Sequence, residues 1–334
     1  MLAAGGDDLF GYGDPLGLPA LRHELRAYLA RARGIDADPD RIAIVPGVSA
    51  GLAELARLLH DNGLNTLAVE EPGFPFQHDV LRRNGLQVTP VPVDAEGIDV
   101  AVLARGTARA VLVTPAHQYP SGVVMSATRR TQLATWATHS NSWIIEDDYD
   151  SEFRYDRQPL GALAGLVPDR VIYAGTTSKT LGGGLRLAWL VLPAELIGPF
   201  IERRGRDCAV AQFLQATLAT FIADGQLDRH VRTMRTRYRR RRDELLDTLQ
   251  TLPAELEISG VAAGLHLTAT FPATLTERDV LRAAAEHNLA LWRLSQHHHQ
   301  PNPPQGLVIG IGRATPTRFT NALTLLHRTF TTLR

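Results

Sequence analysis

Between residues 42 and 192 the chain alternates short aliphatic runs with stretches of helical periodicity, and that alternation leaves few folds open to it. Candidate strands fall at 42–45, 66–69, 88–93, 110–113, 143–145, 171–174 and 187–192. Helical patterns at 49–60, 76–84 and 127–139 separate several of them. Near-continuous apolar strands are buried on both faces, and parallel neighbours need a crossover of a dozen residues or more. The pattern predicts an α/β fold with a mostly parallel central sheet and helices on both faces.

Ahead of this unit, Leu18, Leu21, Leu25, Tyr28 and Leu29 recur at helical spacing behind a small, acidic opening segment that reads as a flexible arm. After Pro193, residues 195–250 carry long helical periodicity, and residues 255–334 return to short strands and helices. The expected organisation is an arm and helix over 1–40, a large ligand-binding domain over 41–195, and a linking helix with a smaller C-terminal α+β domain over 196–334. The polar, proline-rich stretch 297–304 reads as a surface loop.

Composition excludes several classes. The formal net charge is zero, so no global field draws in nucleic acid or an anionic membrane. Cys208 is the single cysteine, which rules out an intramolecular disulfide framework and a CxxC metal site. No apolar run is long enough to span a membrane, and the N-terminus has no basic-then-apolar signal. The expectation is a cytoplasmic protein with neither nucleic-acid nor membrane partners.

Lys179 is the only lysine, against 34 arginines. Guanidinium stays protonated, whereas an ε-amine can lose its proton and form an imine with a carbonyl. A lysine kept where arginine does every other cationic task points to carbonyl chemistry, with a chance leftover as the alternative. Its surroundings run Gly175-Thr176-Thr177-Ser178-Lys179-Thr180-Leu181-Gly182-Gly183-Gly184-Leu185-Arg186, directly after a candidate strand. Open α/β sheets place ligands at this strand edge. The hydroxyls of Thr176 and Ser178, the glycines and Arg186 suit a phosphate; a flexible turn capped by hydroxyls is the plainer explanation.

Two further segments end candidate strands or open helices. Glu146-Asp147-Asp148-Tyr149-Asp150 offers clustered carboxylates, which suit a divalent metal or, with the phenol, an aromatic cofactor. For a metal, only His139 and His117 offer nitrogen ligands, without tight spacing. Val45-Pro46-Gly47-Val48-Ser49 is a strand–turn–helix junction whose free N–H groups and positive dipole suit a phosphate. Ser49 is equally explained as a helix cap. The glycines match neither a dinucleotide fingerprint nor a P-loop. An imine-forming lysine, a partner for a pyridine nitrogen and a phosphate cradle are together what pyridoxal 5′-phosphate requires.

On these residues the chain resembles fold-type I pyridoxal-phosphate enzymes of aminotransferase class I/II, and more closely the aminotransferase-like domain of MocR/GabR-type regulators. The likeness is carried by Tyr12-Gly13-Asp14-Pro15 through Leu21-Arg22, by Thr114-Pro115-Ala116-His117-Gln118-Tyr119-Pro120-Ser121-Gly122, by Ile144 to Tyr155 and Ser178 to Pro193, and by His230-Val231-Arg232-Thr233-Met234-Arg235 and Gly264-Leu265-His266-Leu267. It implies that Lys179 forms the cofactor aldimine and shuttles protons at the substrate α-carbon. It implies that Asp147 pairs with the pyridinium nitrogen and Tyr149 bonds the ring's phenolic oxygen. Thr176, Ser178, Arg186 and the backbone of Val48 and Ser49 would hold the phosphate. Phe74 would stack on the ring, with core packing as its alternative. Tyr12 would reach the phosphate of a neighbouring subunit, so the resemblance implies a homodimer with shared sites.

The chain departs from the family pattern in three places. Eleven residues precede Tyr12 where MocR-type regulators carry a winged helix-turn-helix, so the expectation is a stand-alone protein. The run Arg235, Arg237 and Arg239–Arg242 then reads as a solvated helix face rather than a nucleic-acid surface. Val308 stands where many aminotransferases place a carboxylate-binding arginine, leaving Arg313 as the candidate anchor. Tyr119-Pro120-Ser121-Gly122 replaces the wider superfamily's Asn-Pro-Thr-Gly, which makes Gln118 and Tyr119 candidate substrate contacts and His117 a structural histidine beside the site. The expected function is an aminotransferase-like enzyme acting on an amino acid or amine, with a biosynthetic role in view. Elimination, replacement or condensation on the same machinery, or a non-catalytic effector-sensing domain, are its rivals.

Overall fold

The computed structural model describes residues 9, 11–155, 161–205, 210–260, 263–312 and 315–333. An eight-stranded sheet contains β1 (Ile42–Val45), β2 (Thr66–Glu71), β3 (Gln87–Asp94), β4 (Gly97–Ile98), β5 (Ala110–Val113), β6 (Trp143–Asp148), β7 (Val171–Thr176) and β8 (Ala188–Val191), in the order β1-β8-β7-β6-β5-β2-β3-β4. Strands β7, β6, β5, β2 and β3 run parallel, while β8 is antiparallel to both β7 and β1, and β4 is antiparallel to β3. This is the mostly parallel sheet expected from the strand–helix alternation, in the fold-type I architecture that the resemblance implies.

The side-chain alternation of each strand divides the core into two layers. Ile144, Val171, Tyr173 and Trp189 face α1 (Pro19–Arg33) and α5 (Ala127–His139), meeting Leu21, Leu25, Leu29, Leu133 and Trp136. Ile145, Ile172, Ala174 and Leu190 face the other way, toward Leu52, Leu55 and Leu59 of α2 (Val48–Asp61). Helix boundaries follow local chemistry. Pro19 and Pro75 open α1 and α3 (Pro75–Arg83), Gly34 ends α1 in the left-handed conformation, and Ser126 caps α5 by accepting the Arg129 N–H.

The expected linking helix is three helices: α6 (Ala194–Arg204), α7 (Gln212–Ala223) and the 25-residue α8 (Gln226–Gln250), with a short α4 (Val100–Arg105) earlier in the chain. A second, antiparallel sheet orders β11 (Trp292–Arg293), β12 (Gly306–Gly310), β10 (His266–Thr270) and β9 (Glu257–Ser259). It packs with α8, α9 (Glu277–Glu286) and α10 (Pro316–Thr331) around Phe153, Tyr238, Leu245, Leu267, Leu307 and Phe330.

The arginine run of α8 is not one surface. Arg239 and Arg240 are exposed, whereas Arg241 is buried, donates to the Ile311 carbonyl at 2.9 Å and lies over Phe319. The expected surface loop at 297–304 also needs correction at its first residue. His297 is buried, and its carbonyl accepts the Gly73 N–H at 2.9 Å, tying this segment to the turn after β2. Proline and polar content gave no sign of that anchor because it is a backbone contact across 224 residues of sequence.

Candidate active site

The ends of β6 and β7 set the geometry. In register, Asp147 pairs with Ala174 and Asp148 with Gly175, so the chain leaves both strands at the same sheet edge. Lys179 follows β7 in a single turn of π-helical spacing, Ser178–Gly182, and is solvent-exposed. Its Nζ lies 5.9 Å from the centre of the Tyr149 ring. The turn is fixed from below. Thr177 donates through N and Oγ1 to the Leu187 carbonyl, and His230 of α8 holds the Thr180 carbonyl at 2.8 Å.

The three consecutive carboxylates do not converge. Strand alternation sends Glu146 and Asp148 to one face and Asp147 to the other. Glu146 accepts the N–H groups of Leu163 and Ala164, and Asp148 is paired with Arg33 at 2.5 Å and accepts the Tyr173 hydroxyl at 2.7 Å. Asp147 is left toward Lys179. Its Oδ2 accepts from Gln77 Nε2 at 2.5 Å, while Oδ1 is buried with no hydrogen-bond partner among the described residues. Burial raises its carboxyl to about 7, against the Gln77 hydrogen bond and Lys179, which pull it down, and with Asp148 and Asp150 adding to the rise. An orphaned carboxylate oxygen at this depth calls for a proton-bearing partner, which the protonated nitrogen of a pyridine ring supplies.

The phosphate candidates also come together. Thr176 Oγ1 accepts the Ser178 N–H at 3.1 Å and donates to Ser178 Oγ at 3.0 Å. Arg186, in left-handed backbone, donates to the Pro46 carbonyl at 3.1 Å and so joins this loop to the start of α2. There Gly47, at φ +93°, is the N-cap, and the N–H groups of Val48 and Ser49 open the helix with no carbonyl a turn earlier to bond. A Cβ on Gly47 would stand 2.4 Å from the Arg186 guanidinium, so the glycine is what lets the cation reach this cradle.

Phe74, the N-cap of α3, sits outside the hydrophobic clusters of the described residues. It closes an aromatic circuit instead: Phe74–Phe76 at 5.3 Å, Phe76–Trp292 at 5.9 Å, Trp292–His297 at 6.3 Å, His297–Tyr119 at 5.2 Å and Tyr119–Phe74 at 5.2 Å between ring centres. Tyr119 therefore faces the same space, its hydroxyl pushed up to about 12 by burial. Gln118 does not. Its Nε2 donates to the carbonyls of Pro72 and Tyr119, and its Oε1 accepts from Ser121 N and Oγ, so it braces its own loop and has nothing left for a substrate. Arg313 lies outside the described residues. Val308 is buried in β12 between Thr268 and Trp292. Tyr12 is 94% exposed and is not brought to the rest of the site within one chain.

Several residues around the site carry no signal in the sequence. Gln77 reaches Asp147 from α3, 70 positions away. Glu70, at the end of β2, accepts from Thr114 N and Oγ1, and burial raises it to about 7. Of the two histidines considered as metal ligands, His139 stays on the exposed end of α5, bonded to the Thr135 carbonyl. His117 instead meets Asp150 and His266, the ligand-type atoms of all three lying within 4.8 Å of one another. A proximity spanning the two sheets has no sequence signature.

The aminotransferase class I and II family model matches residues 3–301 of the chain. An uncharacterized HTH-type transcriptional regulator of Bacillus subtilis, YhdI, is 37% identical over 305 residues, which is 90% of this chain and 64% of the regulator. The probable rhizopine catabolism regulatory protein MocR of Rhizobium meliloti is 33% identical over 332 residues, 98% of this chain and 67% of that protein. The chain thus spans about two thirds of the length of these relatives. Among solved structures, the kynurenine aminotransferase of Pyrococcus horikoshii, crystallised with PMP, superposes with a TM-score of 0.87 at 24% identity, covering 99% of this chain and 85% of that one. At that identity the superposition speaks for the fold alone. No helix among the described residues is long and apolar enough to cross a membrane.

Proposed function

Because the chain belongs to the aminotransferase class I and II family, we propose that it uses pyridoxal 5′-phosphate to act on the amino group of an amino acid or amine, by transamination in the first instance. The observation that carries this is Lys179 poised over Tyr149 beside the orphaned Asp147 oxygen. When bound, the cofactor supplies a carbonyl for an amine and a ring that accepts electrons.

The remaining chemistry belongs to the protein. Lys179 would bring the nucleophilic amine and would move a proton at the substrate α-carbon. Asp147 holds the ring nitrogen's proton, and Gln77 keeps that carboxylate in place. Tyr149 donates to the ring oxygen. Thr176, Ser178, Arg186 and the N–H groups of Val48 and Ser49 receive the phosphate, and Phe74 and Tyr119 wall the ring off from water. The exposure of Tyr12 supports a homodimer in which it completes the partner subunit's phosphate site.

A second reading rests on the relatives, which are named as transcriptional regulators. In it, the site binds cofactor and an amino compound without turnover. Incubating the pyridoxal-phosphate-loaded protein with a panel of amino acids and a keto-acid acceptor separates the two. Release of the donor's keto acid, with a visible spectral change, establishes transamination. A saturable spectral change with no keto acid assigns the sensing role.

Gly47→Ala tests the cradle. Its Cβ displaces the Arg186 guanidinium and leaves a non-glycine residue at positive φ. Loss of one charge-assisted phosphate contact predicts a Kd for pyridoxal phosphate about tenfold higher, read by fluorescence titration.

A further inference from the structure

We infer that His117, oriented by Asp150, is a positioning residue for Tyr149: it fixes the phenol as a hydrogen-bond donor toward the cofactor's ring oxygen. This rests on the cofactor reading above, and it deepens it by placing a second buried layer behind the ring oxygen.

The hydrogen-bond pattern settles the tautomer. Tyr149 Oη donates to the His117 carbonyl at 2.8 Å, which uses the phenol's only hydrogen. Its contact with His117 Nδ1, at 3.1 Å, then needs the hydrogen on the ring nitrogen. Asp150 Oδ2, 3.0 Å from the same Nδ1, demands the same proton, because an ionised carboxylate only accepts. Two separate acceptors therefore place the proton on Nδ1. On the neutral ring Nε2 is then the bare nitrogen, and it is buried with no hydrogen-bond partner among the described residues.

The ring is also held mechanically. A Cβ on Gly264 would overlap the His117 imidazole, and the His266 ring centre stands 4.6 Å from that of His117. The Leu265 N–H donates to Asp150 Oδ2 at 3.2 Å, so the segment leading into β10 fixes both members of the dyad. His117 is 2% exposed and cannot swing away.

The consequence falls on Tyr149. With Nδ1–H occupying an acceptor lone pair, the hydroxyl hydrogen is the group left to turn from the His117 carbonyl to an incoming oxygen. Burial first, then Asp150, Tyr119, Asp147 and Glu70, push the phenol well above its usual range, so it keeps that hydrogen at working pH. Among the described residues, His266 faces His117, Tyr155 faces Asp150, and Lys179 lies over the Tyr149 ring. A donor aimed at the ring oxygen withdraws negative charge that would otherwise bind a proton nearby, so losing the donor raises the pKa at which the loaded protein's visible absorbance titrates.

The test uses the loaded protein with His117→Phe, His117→Asn and Asp150→Asn. Asparagine keeps an N–H close to where Nδ1–H stands; phenylalanine keeps the packing and loses it. The visible transition of His117→Phe should rise by about one pH unit, a tenfold change in proton affinity, and that of His117→Asn by less than about 0.3. Asp150→Asn should behave like His117→Phe, because an amide can donate to Nδ1 and reverse the tautomer. A wild-type transition in His117→Phe, or an equal shift in both His117 variants, overturns the inference. Nitrogen-15 histidine spectra of the ligand-free wild type give a readout that needs neither cofactor nor variant: the Nδ1–H tautomer at His117 is expected, and Nε2–H overturns it. A wild type that binds no pyridoxal phosphate sinks the cofactor reading, and those spectra still judge the His117 geometry separately.

Discussion

Lys179→Arg is expected to fold, to bind pyridoxal phosphate reversibly, and to lose turnover by at least about 10³-fold. The side chain leaves an exposed turn whose backbone is fixed by Thr177 and His230 rather than by Lys179 itself, so the substitution removes the amine and leaves its support standing. Guanidinium matches the positive charge near Tyr149 but neither adds to a carbonyl nor gives up a proton. Borohydride treatment followed by peptide mapping gives the direct readout. In the wild type a pyridoxyl mass should appear on the peptide containing Lys179, and in the variant nowhere. Because the sequence has no second lysine, a wild-type protein carrying no such adduct would leave the covalent role without a candidate.

Asp147→Asn should cost on the order of 10²–10³ in turnover, the size expected when a buried, preorganised charge-assisted contact is removed from a reacting site. The same variant predicts a change in the ligand-free protein, with the opposite sign. In the folded state burial lifts Asp147 to about 7, above its unfolded value near 3.9. Between those values the folded protein binds the extra proton. Stability from this group is therefore present at low pH and is lost as pH rises through about 7. Asparagine has no such slope. The melting temperature of the ligand-free variant should match wild type near pH 4, pull ahead of it as pH rises toward about 7, and stay ahead at pH 8; equal melting temperatures at pH 4 and pH 8 would reject the buried, unpaired carboxylate. A residue that weakens the empty protein and speeds the loaded one is held for function.

The site was partly legible because strand ends are legible. Alternating strand and helix patterns put Asp147, Tyr149 and Lys179 after strands of a parallel sheet, and that sheet has one ligand-bearing edge. Gln118 shows the limit of such reading. It stands in a family motif beside the site, yet each polar atom of its side chain is taken by Glu70, Pro72, Tyr119 or Ser121. A motif position says where a residue is, not which of its atoms remain free.

The sequence by itself determined the fold class and the two core layers, and left Lys179 as the only lysine to propose for the amine. Apolar periodicity is a local property that survives without knowledge of distant contacts, and a single lysine among 34 arginines is a chemical fact before any folding. Only the tertiary structure decided which of the three consecutive carboxylates faces Lys179, that Gln77 steadies it, and that His117, Asp150 and the Gly264 segment close behind Tyr149. Those outcomes depend on contacts spanning from about 30 to more than a hundred residues, whose partners are chosen by packing and hydrogen-bond satisfaction across two sheets and leave no periodic trace in the chain.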